Sequence, residues 1–234
     1  MSRLDWVLTH GANHLLVRHD GLEDALSTYE HLGAALFVLA LLALLAAGGP
    51  RLRRAAVSAA AAAGVALLVA QVIAHVVDRP RPFVAHAGAV RLFAPHTADA
   101  GFPSDHATAA FAIAGAVFVH DRRWGAVLCA LATLLAAGRV GLGVHYPSDV
   151  LAGAILGAAA AALVTRRPLR RRLDALADRL TDRPAFRRAE QVVEQIDPRL
   201  RRLVRAHGVD ATAGRDECQG AKWLTWRGGR RAGP

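Results

Sequence analysis

The sequence predicts an all-α fold: a multi-span transmembrane helical bundle of about five spans, preceded by an N-terminal interfacial helical segment and followed by a short cytoplasmic helical tail. Three observations predict it. Apolar residues make up 53% of the 234 and mean hydropathy is +0.26, whereas an ordinary soluble domain is ~45–50% apolar. Five apolar runs, 32–47, 55–77, 107–119, 125–137 and 150–164, approach the ~20 residues needed to cross ~30 Å of hydrocarbon. The charge is segregated: residues 1–165 carry 11 basic and 10 acidic side chains and residues 166–234 carry 18 and 9, so nearly all of the net +10 lies in the tail. This composition excludes wholesale disorder. Cys129 lies in an apolar run and Cys218 in a polar tail, which excludes a disulfide-stapled scaffold.

Residues 1–31 form the interfacial segment. They lack the basic end and apolar core of a cleavable signal peptide, and Trp6, Val7, Leu15, Leu16 and Leu26 suit short amphipathic helices on the membrane surface. Their histidines, His10, His14, His19 and His31, are irregularly spaced and read as interfacial side chains rather than metal ligands. Residues 32–165 hold the spans. The last three runs are short and borrow Gly, Ser and His neighbours, which membranes tolerate where the backbone lines a protein cavity. Small residues over 59–64 and 152–162 allow close helix approach. If the spans alternate, Arg51, Arg53 and Arg54, then Arg122 and Arg123, then Arg166, Arg167, Arg170, Arg171 and Arg172 all fall on one side. The positive-inside rule makes that side the cytoplasm, and loops 78–106 and 138–149 then face outward.

Residues 166–234 form the basic tail. Leu169, Leu173, Leu176 and Leu180 recur at helical spacing, Phe186, Val193 and Ile196 predict a second short helix, and Leu200, Leu203 and Val204 a further turn. Past His207 periodicity is lost and disorder is expected. The helical part reads either as a solvated amphipathic hairpin packing on itself or as a surface that contacts anionic lipid heads at the cytoplasmic face. No nucleic-acid partner is expected, because aromatic stacking residues are lacking.

The outward loops hold three stretches with chemistry in them. In Asp78-Arg79-Pro80-Arg81-Pro82-Phe83, arginine forks suited to phosphate oxygens sit on a proline-fixed backbone. In Gly101-Phe102-Pro103-Ser104-Asp105-His106, Ser104 is placed to cap the following span, where a helix N-terminus also offers N–H groups to an anion. His106 stands at the mouth of that span, where an unpaired ionisable group is costly. In 138–149, Arg139 precedes His145 by six positions and Asp149 follows it by four. A carboxylate on one imidazole nitrogen fixes the tautomer and sharpens the other as a nucleophile. Together these residues match what phosphoryl transfer without a metal requires: cations on the equatorial oxygens, a group attacking in line and a group protonating the leaving oxygen. The outer side has no acidic cluster suited to two metals, and no cofactor is expected.

These stretches resemble the three-part signature of the type 2 phosphatidic acid phosphatase family, membrane relatives of the vanadium haloperoxidases: K-x6-RP, then PSGH, then SR-x5-H-x3-D. Arg81-Pro82 matches the end of the first part, Pro103-Ser104-Asp105-His106 the second except at Asp105, and Arg139, His145 and Asp149 the third with both spacings intact. Within the family, Arg79-Pro80-Arg81-Pro82-Phe83-Val84 and Gly143-Val144-His145-Tyr146-Pro147-Ser148-Asp149-Val150 are most similar to bacterial undecaprenyl-diphosphatases of the bacitracin-resistance type. The resemblance implies a bacterial inner-membrane enzyme with an outward site that releases phosphate from a polyprenyl diphosphate and so recycles the carrier lipid of wall synthesis. It also implies His145 as nucleophile, Asp149 as its orienting carboxylate and His106 as acid, with Arg81, Arg139, Ser104, Arg79 and Asp105 around the phosphate. Other substrates open to the same site are phosphatidate and phosphatidylglycerol phosphate; the reading from another class is a non-catalytic lipid-phosphate binder or transporter. Three positions depart from the pattern. Ala74 stands where the family has lysine, with Arg79 or His75 as possible substitutes. Gly138 stands for serine, and Asp105 for glycine.

Overall fold

A computed structural model of the chain describes residues 2–181 apart from 47, 94 and 95. Eight helices account for its regular structure: α1 (Arg3–Val17), α2 (Asp20–Ala46), α3 (Pro50–Val77), α4 (Pro82–Ala85), α5 (Asp105–His120), α6 (Arg122–Gly141), α7 (Pro147–Val164) and α8 (Arg167–Thr181). Their ends follow local chemistry. The Ser2 hydroxyl caps α1 by accepting from the Asp5 N–H, and the Asp121 carboxylate caps α6 by accepting from Arg123 and Trp124. Prolines open α3, α4 and α7, where the missing N–H costs nothing.

Over their described residues all five apolar runs are helical, as the sequence predicts. Among the described residues, Asp20–Ala46, Pro50–Ala85, Arg122–Gly141 and Pro147–Val164 are long and apolar enough to cross a membrane. The remaining run forms α5, which has only 16 residues and is about 24 Å long at the helical rise. Its shortness follows from its place. It packs between α3, α6 and α7, and Ala107, Ala110, Ala112, Ala114, Ala116 and Val117 are all buried. A helix enclosed by other helices need not match the thickness of lipid. One boundary differs from expectation: α2 starts at Asp20, so residues 20–31 continue into the first span.

The α5–α7 contact brings the second and third sequence motifs together. A Cβ at Gly157 would overlap the Thr108 carbonyl oxygen and lie 2.7 Å from the Ala112 nitrogen. One turn earlier, a Cβ at Gly153 would lie 2.7 Å from the Ser104 oxygen. These two glycines let the backbones touch, and at the end of the seam the Ser104 N–H donates to the Asp149 carbonyl at 3.1 Å. Gly157→Ala is therefore expected to lower the midpoint of thermal unfolding in detergent, at a cost of about 1–3 kcal/mol for an overpacked contact. Gly64→Ala is the matched control, since nothing lies within 4 Å of a Cβ there. Equal midpoints for the two variants would contradict the close seam.

The arginine clusters share one end of the bundle. Arg51 Nε donates to the His120 carbonyl, and Arg54 holds Asp178 of α8 through two bonds of 2.9 and 2.8 Å. Helix α8 is amphipathic as predicted. Leu173 packs against the core and Ala177 is buried, while Leu169, Leu176 and Leu180 are exposed. The expectations for Phe186, Val193, Ile196, Leu200, Leu203 and Val204, and for disorder past His207, lie outside the described residues.

Candidate active site

At the opposite end of the bundle is a cavity of about 640 Å³, whose lining includes Arg81, Asp105, His106, Arg139 and His145. These five come from all three sequence motifs. The connecting strands of chain meet through Gly101. Its N–H donates to the Arg79 carbonyl at 2.7 Å, and its carbonyl lies 2.9 Å from His145 Nδ1. His145 itself sits on a tight loop between α6 and α7. Gly143 turns that loop with φ 78, a conformation that favours glycine. The Val144 and His145 N–H groups both donate to the Arg139 carbonyl.

The ring of His145 is almost fully buried, and its partners assign its proton. A carbonyl oxygen only accepts, so the Gly101 contact requires the hydrogen on Nδ1. That leaves a lone pair on Nε2, which faces Arg81 Nη1 at 3.0 Å and Arg139 Nη2 at 3.1 Å. Burial, then the charges of Arg139 and Arg81, push this histidine well below its ordinary 6.5, against an upward pull from the Gly101 carbonyl. The unfolded chain thus takes up a proton near pH 6.5 that the folded chain refuses. The stability associated with neutral His145 is present above that pH and is lost as the pH falls below it. Thermal unfolding followed from pH 7.5 to 5 should show this loss, and His145→Gln should reduce it; an unchanged slope in the variant counts against the assignment.

Each arginine is aimed by a carboxylate. Arg81 Nε donates to Asp99 at 3.0 Å. Burial raises Asp99, but bonds from Arg81 and Thr97 and the Arg81 charge outweigh it and hold the carboxyl below its usual range. Arg139 is buried against Glu30 of α2, with His96 Nε2 3.3 Å from Nη1. Asp105 accepts from Gln71 Nε2 at 2.9 Å.

Three expected site residues stand elsewhere. Ser104 is fully buried and does not line the cavity; its hydroxyl faces the Ala107 N–H at 3.5 Å, at the head of α5. Asp149 does not hydrogen-bond His145, whose Nδ1 is 3.7 Å away. Its oxygens accept instead from the Tyr146 N–H at 2.8 Å and from Arg79 at 2.6 Å. The reason is its position in the first turn of α7, where unpaired N–H groups compete for a carboxylate. Arg79 is likewise committed, to Asp5, Ser148 and Asp149. It does not line the cavity, whereas His75 does, beside Ala74.

Glu30, His96, Asp99 and Gln71 escaped the sequence reading. Glu30 carried one signal, a carboxylate at the edge of an apolar run, where an ionised group needs a partner. As a whole the site offers an imidazole nitrogen, His145 Nε2, between two guanidiniums, and His75, His96 and His106 line the same cavity.

A family model described as PAP2 superfamily matches residues 55–173. The chain is 34% identical to undecaprenyl-diphosphatase BcrC of Bacillus subtilis (strain 168) over 148 residues, 63% of this chain and 74% of that protein. It is 38% identical to decaprenylphosphoryl-5-phosphoribose phosphatase of Mycobacterium tuberculosis (strain CDC 1551 / Oshkosh) over 151 residues, 64% of this chain and 82% of that one. Among solved structures, a transmembrane PAP2 type phosphatidylglycerolphosphate phosphatase from Bacillus subtilis superposes with a TM-score of 0.55 at 26% identity, over 70% of this chain and 87% of its own.

Proposed function

The chain belongs to the PAP2 superfamily, and from that membership and the geometry of its cavity we propose that it hydrolyses undecaprenyl diphosphate to undecaprenyl phosphate and phosphate. The observation that carries the reading is the lone pair of His145 Nε2 held between Arg81 and Arg139. A terminal phosphoryl group seated there meets a nucleophile and two cations at once.

In the first step His145 Nε2 forms a bond to phosphorus. The bond from phosphorus to the bridging oxygen breaks, and His106 gives that oxygen a proton. The Nδ1 proton stays directed at the Gly101 carbonyl, which eases the positive charge gained by the ring. In the second step water attacks the phosphohistidine, His106 takes a proton from the water, and the nitrogen–phosphorus bond breaks. Arg81 and Arg139 hold the equatorial oxygens throughout. Asp105 lies next to His106 in the chain and is held by the Gln71 amide. Ser104 supports the head of α5, while Asp149 and Arg79 act from behind the loop.

The reaction is proposed to need no metal, because the groups nearest His145 Nε2 are cations that repel one. Chelator treatment should leave the rate unchanged; a chelator-sensitive rate restored by a divalent ion ends the metal-free reading. The polyprenyl substrate is supported by the names of two relatives, an undecaprenyl-diphosphatase and a decaprenylphosphoryl-phosphoribose phosphatase. The neighbour acting on phosphatidylglycerol phosphate favours the second reading, a broader lipid phosphatase. We place the protein in the bacterial inner membrane, with the cavity facing outward and the arginine clusters and tail in the cytoplasm, where the tail meets anionic lipid heads.

The test is phosphate release in proteoliposomes from undecaprenyl diphosphate, phosphatidate and phosphatidylglycerol phosphate. The expected result is a kcat/KM for the polyprenyl diphosphate at least about 10-fold above the others, a difference of ~1.4 kcal/mol. Comparable rates on all three give the second reading, and binding without release gives a non-catalytic protein.

A further inference from the structure

Helix α1 is inverted relative to a helix lying on a soluble protein. Its polar Asp5, Thr9 and Asn13 are buried against the bundle, whereas Leu4, Val7, Leu8 and Leu15 are exposed. A membrane-facing helix is expected to turn that way, and the buried polar row then needs partners in the protein.

Asp5 has them, and they lead to the nucleophile. Its Oδ2 accepts from Arg79 Nη2 at 2.9 Å and from the Ser148 hydroxyl at 2.8 Å, and its Oδ1 accepts from the Ser148 N–H at 3.1 Å. Arg79 spans the gap to the site. It stacks 4.3 Å above the Tyr146 ring, and its Nη1 donates to Ser148 Oγ at 2.7 Å and Asp149 Oδ1 at 2.6 Å. Asp149 Oδ2 takes the N–H of Tyr146, the residue that follows His145. The bonds from Arg79 to Asp5 and to Asp149, and from the Tyr146 N–H to Asp149, are short and charge-assisted, the kind that fixes geometry as well as adding energy. Asp5, Arg79, Asp149 and Ser148 are all absent from the cavity lining, so the chain works from behind the loop and touches no substrate.

We propose that Asp5 is a positioning residue for phosphoryl transfer: through Arg79 and Asp149 it fixes the loop that carries His145, and it makes α1 part of the catalytic framework. The proposal rests on His145 being the nucleophile of the reaction proposed above. Misplacing a reacting group by a fraction of an ångström lowers the chemical step while leaving the cavity intact.

The experiment compares kcat and KM for undecaprenyl diphosphate, in proteoliposomes of the full chain, across wild type, Asp5→Asn, Arg79→Gln, the double variant, Thr9→Val and His145→Ala. Asp5→Asn is expected to lower kcat about 10-fold or more with KM within about 2-fold. The double variant should be no slower than the slower single, because both remove one relay. Thr9→Val disturbs the same buried face of α1 without touching the relay and should keep the wild-type kcat. A wild-type kcat for Asp5→Asn overturns the proposal, as does an equal loss in Thr9→Val or additive losses in the double variant. Should Asp5→Asn fail to fold, Arg79→Gln decides instead, since it removes the side chain that joins Asp5 to Asp149: a reduced kcat at unchanged KM supports the relay and a wild-type kcat overturns it. An active His145→Ala sinks the proposed reaction itself, whereas an inactive His145→Ala beside a wild-type Asp5→Asn sinks only the relay.

Discussion

His145→Ala is expected to lower phosphate release from undecaprenyl diphosphate by at least ~10²-fold. The size follows from the geometry. The Nε2 lone pair is held at hydrogen-bond distance from both Arg81 and Arg139, so deletion removes the attacking atom while the cations remain. KM should change little, since the guanidiniums still bind the phosphoryl oxygens, and the loss should fall on kcat. His106→Ala should behave differently. It removes a proton donor, so its defect should shrink when the leaving group is a good one, as with an aryl phosphate, whereas the His145→Ala defect should persist. Acid quenching of wild type during turnover would lose the adduct, because a phosphorus–nitrogen bond is acid-labile; alkaline quenching should preserve it, and His145→Ala should show none. A variant that folds and turns over at the wild-type rate would falsify nucleophilic attack by His145.

The contrast between these histidines and the rest of the site shows what a linear sequence can carry. Arg81, His106, Arg139 and His145 were legible because each stands at the end of an apolar run. Alternation of the runs puts such ends on one side, and the structure gathers them around one cavity. Asp149 was legible as a partner of the loop but not in its contacts. Spacing cannot distinguish a carboxylate that meets an imidazole from one that meets a helix N-terminus, and the N–H of Tyr146 won. Arg79 and Arg81 look alike in the chain, yet only Arg81 reaches the cavity. Arg79 turns instead to Asp5, 74 positions away, and to Ser148 and Asp149. Ser104 in the sequence suits either a helix cap or a phosphate contact, and in the structure it caps α5 and does not line the cavity. Helix α5 fell short of a span because a central helix meets protein instead of lipid, a fact of packing that hydropathy does not record.

Glu30 shows in the sequence only as a carboxylate at the edge of an apolar run, yet its removal should be among the most damaging changes. It lies 109 positions from Arg139, and both side chains are buried, at 5% and 2% exposure. Removing one partner of such a pair leaves a charge without compensation and costs about 3–5 kcal/mol. Glu30→Ala is therefore expected to lower the thermal midpoint sharply and to abolish phosphate release, because the Arg139 guanidinium loses the carboxylate that aims it at His145. The double variant Glu30→Ala with Arg139→Leu separates the two effects. Removing both charges of a buried pair is often near neutral for stability, so the midpoint should recover much of its loss. Activity should not recover, since the cation beside the phosphoryl oxygens is gone. Recovery of both in the double variant would make the pair a scaffold alone, and an unaltered midpoint in Glu30→Ala would show that Arg139 does not depend on it. The expected split, stability regained and turnover still absent, would mean that this buried ion pair serves the position of one guanidinium more than the fold.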